Sequence, residues 1–209
     1  LATLSNATSD DAVTVTNAAS DADDGQRLLE DWDLTQPAEG TGAAAAAYLN
    51  ATWRELLALT FHDELPAPVW PDGGARWVEV VAALLESPRD PWWDDVTTDR
   101  VEERDDVLRS AMLEARDELT RRQAREADRW TWGHVHQLFL ASPGLLGDGV
   151  ALDLARRVVE PDPWEVGGGP GAVDATGWDA ARGFEVTTTP SMRMVVSLAD
   201  WDDSRWVAL

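Results

Sequence analysis

Large apolar side chains recur every three or four residues through the first two thirds of the chain, which is the spacing of one buried helix face. The pattern predicts a short helix from Gln26, a second from Ala43 to Phe61 and a third from Ala75 to Glu86. A fourth, running from Asp99 to about Glu126, is indicated by Asp99 as N-cap with Glu102 three residues later. The buried face predicted for the second helix consists of Leu49, Trp53, Leu56, Leu57 and Phe61.

The pattern changes after residue 160, where a glycine run at 167–171 is followed by β-branched, alternating sequence. This predicts strands at 184–189 and 192–199, joined as a hairpin by a turn at Pro190 and Ser191. A third strand is predicted to begin at Arg205. A helical first two thirds and a β-rich last third together indicate an α+β fold.

The net charge limits the kinds of macromolecule that the chain is expected to bind. The chain has 17 basic residues, all of them Arg, and 39 acidic ones, so its net charge is −22. Nucleic acids and anionic membrane surfaces are therefore not expected partners. An acidic, lysine-free surface is typical of a halophilic protein, because concentrated salt screens self-repulsion. A GC-rich genome, whose codons favour Ala, Gly, Arg, Asp and Val, is the alternative explanation.

The lack of Cys and the sequences at the two ends of the chain restrict the possible chemistry and the expected processing of the protein. No thiolate chemistry or disulfide is available within 209 residues that contain no Cys. No apolar run approaches 18 residues, and the start at Leu1 has no basic segment followed by an apolar stretch. The start at Leu1 and the apolar, strand-like end at Leu209 are expected to be truncations.

Three histidines are the first candidates for chemistry. His134 and His136 would project from the same face of a strand and could bind a metal, although no third ligand is evident. Alternatively, one of them bonds backbone in a Trp-lined junction. His62, at the end of the second predicted helix, is expected to place a favourable charge at the helix C-terminus.

Several other motifs each carry a functional and a structural interpretation. The glycines at 167–169 lack the Lys-Ser/Thr of a phosphate loop, and Ser191 lies in no nucleophile elbow. Trp92 and Trp93, between Asp90 and Asp95, could line a carbohydrate groove or simply belong to the core. Asn6 and Asn50 match the N-glycosylation pattern, but Asn50 falls inside a predicted helix.

Several stretches, taken in order, carry a family resemblance. They are LLEDWD at 28–33, WRELL at 53–57, FHDELP at 61–66, PWWDD at 91–95, WTWGHVH at 130–136, the glycine run, GFEV at 183–186, PSMRMVV at 190–196 and DSRWV at 203–207. In this order they resemble the C-terminal part of the β-subunit of the penicillin amidase (penicillin acylase) family, which are N-terminal-nucleophile hydrolases.

The resemblance implies a fragment of a four-layer αββα fold. Residues 1–145 would be a mainly helical elaboration of the β-subunit. Residues 146–209 would supply a linker helix, the glycine-rich loop and strands joining the central sheets.

The resemblance also implies acyl transfer to water at the amide bond of an N-acylated small molecule, of the penicillin, acyl-homoserine lactone or lipopeptide class. Family members cut themselves into α and β chains, and the new N-terminal Ser of the β chain attacks the amide. A backbone N–H and an Asn side chain hold the oxyanion. A non-catalytic scaffold or binding module of the same architecture is the alternative.

No catalytic or metal-binding residue carries over to this chain, because the nucleophile, the oxyanion Asn and any calcium ligands align before Leu1. Substrate-binding residues are likewise not identified. Ser197 stands where one branch of the family has a carboxylate that supports a His. The expected partners are the upstream β segment, the α-subunit and a small-molecule amide, with no cofactor in this chain, calcium in the full-length protein and an extracytoplasmic location.

Overall fold

The structure is a computed structural model that describes residues 24–30, 32–140, 142, 149–170, 172, 174–190, 193–195, 199 and 205–207. Its helices are α1 (residues 24–30), α2 (Ala43–Phe61), α3 (Ala75–Leu85), α4 (Arg104–Arg122), α5 (Trp132–Val135) and α6 (Val150–Val159). Short 3-10 turns occupy Ala67–Val69, Pro91–Trp93 and Ala127–Arg129. The first three predicted helices are therefore confirmed, within a residue or two at their ends.

The strands form three antiparallel pairs. Their bounds are β1 (Gln137–Leu138), β2 (Trp164–Glu165), β3 (Gly177–Trp178), β4 (Val186–Thr188), β5 (Arg193–Val195) and β6 (Arg205–Val207). β1 pairs with β2, β3 with β4 and β5 with β6. Helices combined with small antiparallel sheets agree with the predicted α+β class.

The predicted hairpin between residues 184–189 and 192–199 is wrong. β4 is shorter than predicted and pairs with β3, with Trp178 opposite Val186. β5 pairs instead with β6, with Met194 opposite Trp206. Each of these strands thus pairs with a strand that is separated from it by a longer loop than the two-residue turn predicted at 190–191.

Small residues allow α2 and α4 to pack closely. The first half of α2 buries Tyr48 and every alanine except Ala44, which is partly buried. The Tyr48 hydroxyl donates to the Met112 carbonyl of α4 at 3.4 Å. Leu49, which was predicted on the buried face, is exposed, whereas Leu57 and Phe61 are buried as predicted. The buried stripe of α2 thus depends on alanine, whose small methyl group carries little weight in a hydrophobic pattern.

α4 is shorter than predicted. It begins after Glu103 and not after Asp99, and it ends at Arg122 and not near Glu126. The N–H of Glu103 donates to the carboxylate of Asp106 at 3.3 Å, so the same type of cap operates four residues later. Val101, which was predicted to lie on the helix, is exposed in the preceding loop.

One core joins the helices to the segment after residue 176. Its largest buried side chains include Trp93, Trp130, Trp132, Tyr48 and Phe184. Among the described residues, six indole N–H groups donate to backbone carbonyls, those of Trp32, Trp53, Trp70, Trp93, Trp130 and Trp132. Tryptophan therefore fills the core and also fixes loops. Within the described ranges, every helix is too short or too polar to cross a bilayer.

Candidate functional site

Buried aromatic side chains surround His136, the residue that follows α5. Its imidazole is fully buried and stacks on Trp132, with ring centroids 4.5 Å apart and 11° between the planes. Trp132 makes edge contacts with Trp178 and Phe184. This cluster, hereafter the Trp132–His136 junction, connects α5 to the loops on either side of β3.

The hydrogen bonding of His136 defines its charge state. Nδ1 lies 2.7 Å from the carbonyl oxygen of Phe184, and because a carbonyl only accepts, Nδ1 carries the proton. Burial lowers the pKa of His136, and the carbonyls of Phe184 and Thr176 and the carboxylate of Asp174 oppose this effect without cancelling it. The ring is neutral at pH 7. The interpretation of a backbone-bonded histidine in a Trp-lined junction is confirmed for His136.

The metal pair considered for His134 and His136 is not formed. The segment is a helical turn and not a strand, so the side chains leave it in different directions. His134 is exposed with Nδ1 3.7 Å from Oε1 of Glu165, whereas His136 is buried. In the described part of the chain, no group of three or more His, Asp or Glu side chains is arranged to hold a metal ion.

The glycine run packs tightly against the segment before α2. The N–H of Gly168 donates to the Gln36 carbonyl at 2.7 Å, and its own carbonyl accepts from the Trp132 indole at 2.8 Å. The N–H of Gly169 donates to the Asp174 carbonyl. Since protein acceptors already occupy these donors, the run is not a phosphate cradle, in agreement with the missing Lys-Ser/Thr.

A cleft of about 610 Å³ opens beside the glycine run. It is lined by Ala38, Leu138, Leu140, Trp164, Glu165, Val166, Gly167, Asp174, Thr176 and Thr189. Most of these side chains are apolar, and the hydroxyl of Thr176 is already donated to the Gly167 carbonyl. The cleft is therefore suited to an apolar group, with carboxylates present in its wall.

The carbohydrate groove considered for Trp92 and Trp93 is not present. Trp93 is fully buried and donates to the Ser87 carbonyl at 2.9 Å. Trp92 packs against Phe61, with ring centroids 5.3 Å apart. The two rings therefore cannot form one exposed sugar-binding surface. The interpretation of a core residue is confirmed for Trp93, whereas Trp92 is 37% exposed.

His62 lies at the C-cap of α2, as the sequence predicts, but it does not carry the expected charge. Its ring stacks on Trp70 at a centroid distance of 3.9 Å. Burial and the nearby Arg54 lower the pKa of His62, and only Asp63 acts in the opposite direction. The ring is neutral at pH 7, so the predicted charge–dipole contribution is absent there.

Of the remaining candidate residues, one has a structural role and the others lie outside the residues that the structure describes. Asn50 is buried and donates to Gln36 at 2.9 Å and to the Ala46 carbonyl at 2.8 Å, which leaves its amide inaccessible to glycosylation in the folded chain. Asn6, Ser191 and Ser197 lie outside the described residues.

Comparison with known proteins identifies the family. The family model for penicillin amidase matches residues 2–209 of the 209 in the chain. The chain therefore belongs to the penicillin amidase family, as the ordered stretches predicted.

Similar curated proteins carry the name acyl-homoserine lactone acylase QuiP. The one from Pseudomonas aeruginosa is 25% identical over 191 residues, which cover 81% of this chain and 22% of that protein. Those from Pseudomonas syringae pv. syringae and pv. tomato are each 25% identical over 166 residues, covering 76% of this chain and 20% of each protein. The chain thus spans about a fifth of the length of the curated relatives that it matches.

Gln36 is the site residue that sequence reasoning missed. Its carbonyl accepts from Gly168, and its side chain accepts from Asn50. A Cβ atom added at Gly167 would lie 2.5 Å from the Gln36 carbonyl oxygen, so the two backbones are in direct contact. A polar residue before Pro37 gives no local signal for a contact about 130 residues away along the chain.

Proposed function

We propose that the chain is part of an acylase that hydrolyses the amide bond of an N-acylated small molecule. The substrate is of the penicillin, acyl-homoserine lactone or lipopeptide class. The nucleophile is the N-terminal Ser of a β chain that begins upstream of Leu1. Its own amino group acts as the base, and the acyl group is then transferred to water.

The match of the family model to residues 2–209 carries this proposal. The relatives named as acyl-homoserine lactone acylases support an acylase in particular. The structure is compatible with a supporting role, because the histidines that could act as bases are either exposed, like His134, or committed to packing, like His136 and His62.

In this proposal the chain supplies a wall of the substrate cleft and none of the reacting groups. α2, α4 and the Trp132–His136 junction share one buried core, and the cleft lies beside the glycine run that bonds to this junction. The partners are the upstream β segment and the α-subunit of the same precursor. Because the chain covers about a fifth of its relatives, the remaining polypeptide provides the nucleophile and the oxyanion donors.

The direct test is hydrolysis by the full-length protein that contains this chain. The purified protein is incubated with N-acyl-homoserine lactones of several chain lengths and with penicillins, and the released amine is quantified. The matched control is the same protein with its β-chain nucleophile replaced by Ala. Amine release that this substitution abolishes supports the proposal, whereas no release from any substrate class favours a non-catalytic scaffold of the same architecture.

A further inference from the structure

A second cleft, of about 580 Å³, opens between the segment that leads into α3 and the loop after β3. The indole rings of Trp70 and Trp77 form part of its wall, together with the side chains of Asp72, Asp179 and Arg182. We call it the Trp70–Trp77 cleft. It shares no lining residue with the cleft beside the glycine run. An aromatic wall with a few polar groups in one concavity is typical of a site for a small molecule.

Protein contacts fix both indole rings. The N–H of Trp70 donates to the Leu65 carbonyl at 2.9 Å, and one face of the ring is stacked on His62. Trp77 packs against Phe61, with ring centroids 5.2 Å apart. Both tryptophans are only partly buried, so part of each ring remains accessible. The rings are therefore ordered surfaces that a ligand does not have to immobilise.

The two carboxylates of the cleft are oriented by their own loops. Oδ1 of Asp72 accepts from the N–H of Gly74 at 2.9 Å, and Oδ1 of Asp179 accepts from the N–H of Ala181 at 3.0 Å. The N–H of Ala180 donates to the Asp72 carbonyl at 2.9 Å, which joins the two loops. Among the described residues, no donor reaches Oδ2 of either side chain. Each Asp thus keeps an oriented acceptor oxygen for a ligand.

Arg182 adds a donor to these acceptors. Its side chain is exposed and, within the part of the chain that the structure describes, forms no ion pair or hydrogen bond. A guanidinium only donates hydrogen bonds, and an ionised carboxylate only accepts them. A complementary ligand therefore carries both donors and acceptors, and it also has an apolar face for the indoles.

These requirements favour a neutral polyhydroxylated ligand. A purely apolar ligand would desolvate three charged groups without replacing their hydrogen bonds. An anion would face both carboxylates and a net charge of −22, whereas a cation would leave the donors of Arg182 without an acceptor. A sugar ring carries hydroxyls that both donate and accept, and its C–H face can pack on an aromatic ring.

We propose that the Trp70–Trp77 cleft binds a neutral carbohydrate, with a hexose ring on the indoles and its hydroxyls bonded to Asp72, Asp179 and Arg182. The cleft does not involve Trp92 or Trp93, which form no sugar-binding surface. The inference goes beyond the proposed acylase and does not depend on it, because it uses no group assigned to amide hydrolysis.

The test measures sugar binding to the full-length protein that contains this chain. Maltotetraose, cellotetraose and N,N′,N″,N‴-tetraacetylchitotetraose are titrated by isothermal calorimetry. Asp72→Asn and Asp179→Asn keep the oxygen that bonds the loop and remove the negative charge, and Arg182→Gln removes the cation. Asp128→Asn and Arg129→Gln, at exposed positions outside the cleft, are the matched controls. Circular dichroism verifies that each variant keeps the parent fold.

The expected result is saturable binding of at least one of these sugars, weakened about tenfold by each cleft variant and unchanged in both controls. No binding of any of the three sugars, or binding that the cleft variants do not weaken, would overturn the inference. Benzyltrimethylammonium and acetyl-trialanine amide are titrated in parallel. Binding of either one in the cleft, with no sugar bound, would overturn it in favour of a cation or a peptide.

Amine release from N-acylated substrates, measured on the same preparations, tests the proposed function separately. A protein that binds the sugar but releases no amine refutes only the acylase, and an active protein that binds no sugar refutes only the carbohydrate site.

Discussion

The Nδ1 atom of His136 donates a 2.7 Å hydrogen bond to the backbone carbonyl of Phe184, and this bond joins α5 to the loop that leads into β4. The two residues are 48 positions apart, and both are buried. The contact explains why a histidine stands among tryptophans: a neutral imidazole satisfies a buried carbonyl while its ring stacks on Trp132.

Replacing this histidine should destabilise the protein strongly. His136→Ala removes a buried ring and leaves the Phe184 carbonyl without its donor, so we expect a loss of about 2–4 kcal/mol in the free energy of unfolding. The matched control, His134→Ala, alters an exposed side chain in the same helical turn and should stay within about 0.5 kcal/mol of the parent. Urea unfolding curves of the protein carrying each variant measure both. Equal losses would refute the structural role of His136.

The glycine run gives a prediction about backbone conformation. Gly168 has φ +86°, and a Cβ atom there would lie 2.1 Å from the Asp174 carbonyl oxygen. Gly40 has a similar φ of +79° but open space around the Cβ position. Gly40→Ala should therefore cost about 1 kcal/mol from the left-handed conformation alone.

Gly168→Ala should cost clearly more, about 3 kcal/mol or above, because the backbone must also move away from the added methyl group. Thermal unfolding of the two variants side by side separates the conformational cost from the clash. A Gly168→Ala variant as stable as Gly40→Ala would show that the loop does not pack as described.

Glu64 gives a pH-dependent prediction. Partial burial and the adjacent Asp63 carboxylate, with Asp95 beyond it, raise the pKa of Glu64 to about 7 from an ordinary value of 4.5. The folded state therefore holds this proton more tightly than the unfolded state. The stabilisation of the folded state by this bound proton is fully present below pH 4.5 and is lost as the pH rises through about 7.

Glu64→Gln keeps the neutral form at every pH. The variant should thus unfold at a higher temperature than the parent at pH 8 and at the same temperature at pH 4. Glu86→Gln, at the exposed end of α3, controls for the loss of one negative charge. The difference should remain modest, because the Glu64 side chain is only slightly desolvated and most of it stays in water, which screens its interactions. A gain at pH 8 no larger than that of the control would contradict the raised pKa.

The surface charge predicts a dependence on salt. A net charge of −22 on 209 residues produces self-repulsion in dilute buffer, and molar salt shortens the Debye length to about 3 Å. Circular dichroism of the protein should therefore show more ordered structure and a higher unfolding temperature in molar KCl. Identical spectra and unfolding temperatures in the two solutions would favour the genome-composition explanation over salt adaptation.

The sequence predicted elements whose boundaries depend on local signals. α2 and α3 follow from apolar spacing, and α3 occupies Ala75–Leu85 within one residue of the prediction. The family also followed from the sequence, through the order of short stretches. The start of α4 was misplaced because Asp99 and Glu103 are each followed three residues later by an acidic residue, so the sequence offers two similar caps, of which the structure uses Glu103.

The partners of the strands and the contacts between distant parts of the chain could not be predicted. β4 pairs with β3, which precedes it along the chain, and not across the predicted turn at 190–191. The helical turn at Trp132–Val135 was not predicted, because four residues are too few to show a helical period. Likewise, the contact between Gln36 and the glycine run exists only in the folded chain.

The most direct test of the proposed self-processed acylase is N-terminal sequencing combined with intact-mass measurement of the native protein. If the proposal is correct, the native protein consists of two polypeptides, with this chain inside the one that begins with Ser. Their summed mass should correspond to the precursor without any segments removed in processing. A single uncut polypeptide with no Ser, Thr or Cys at the position of the processing junction would contradict it.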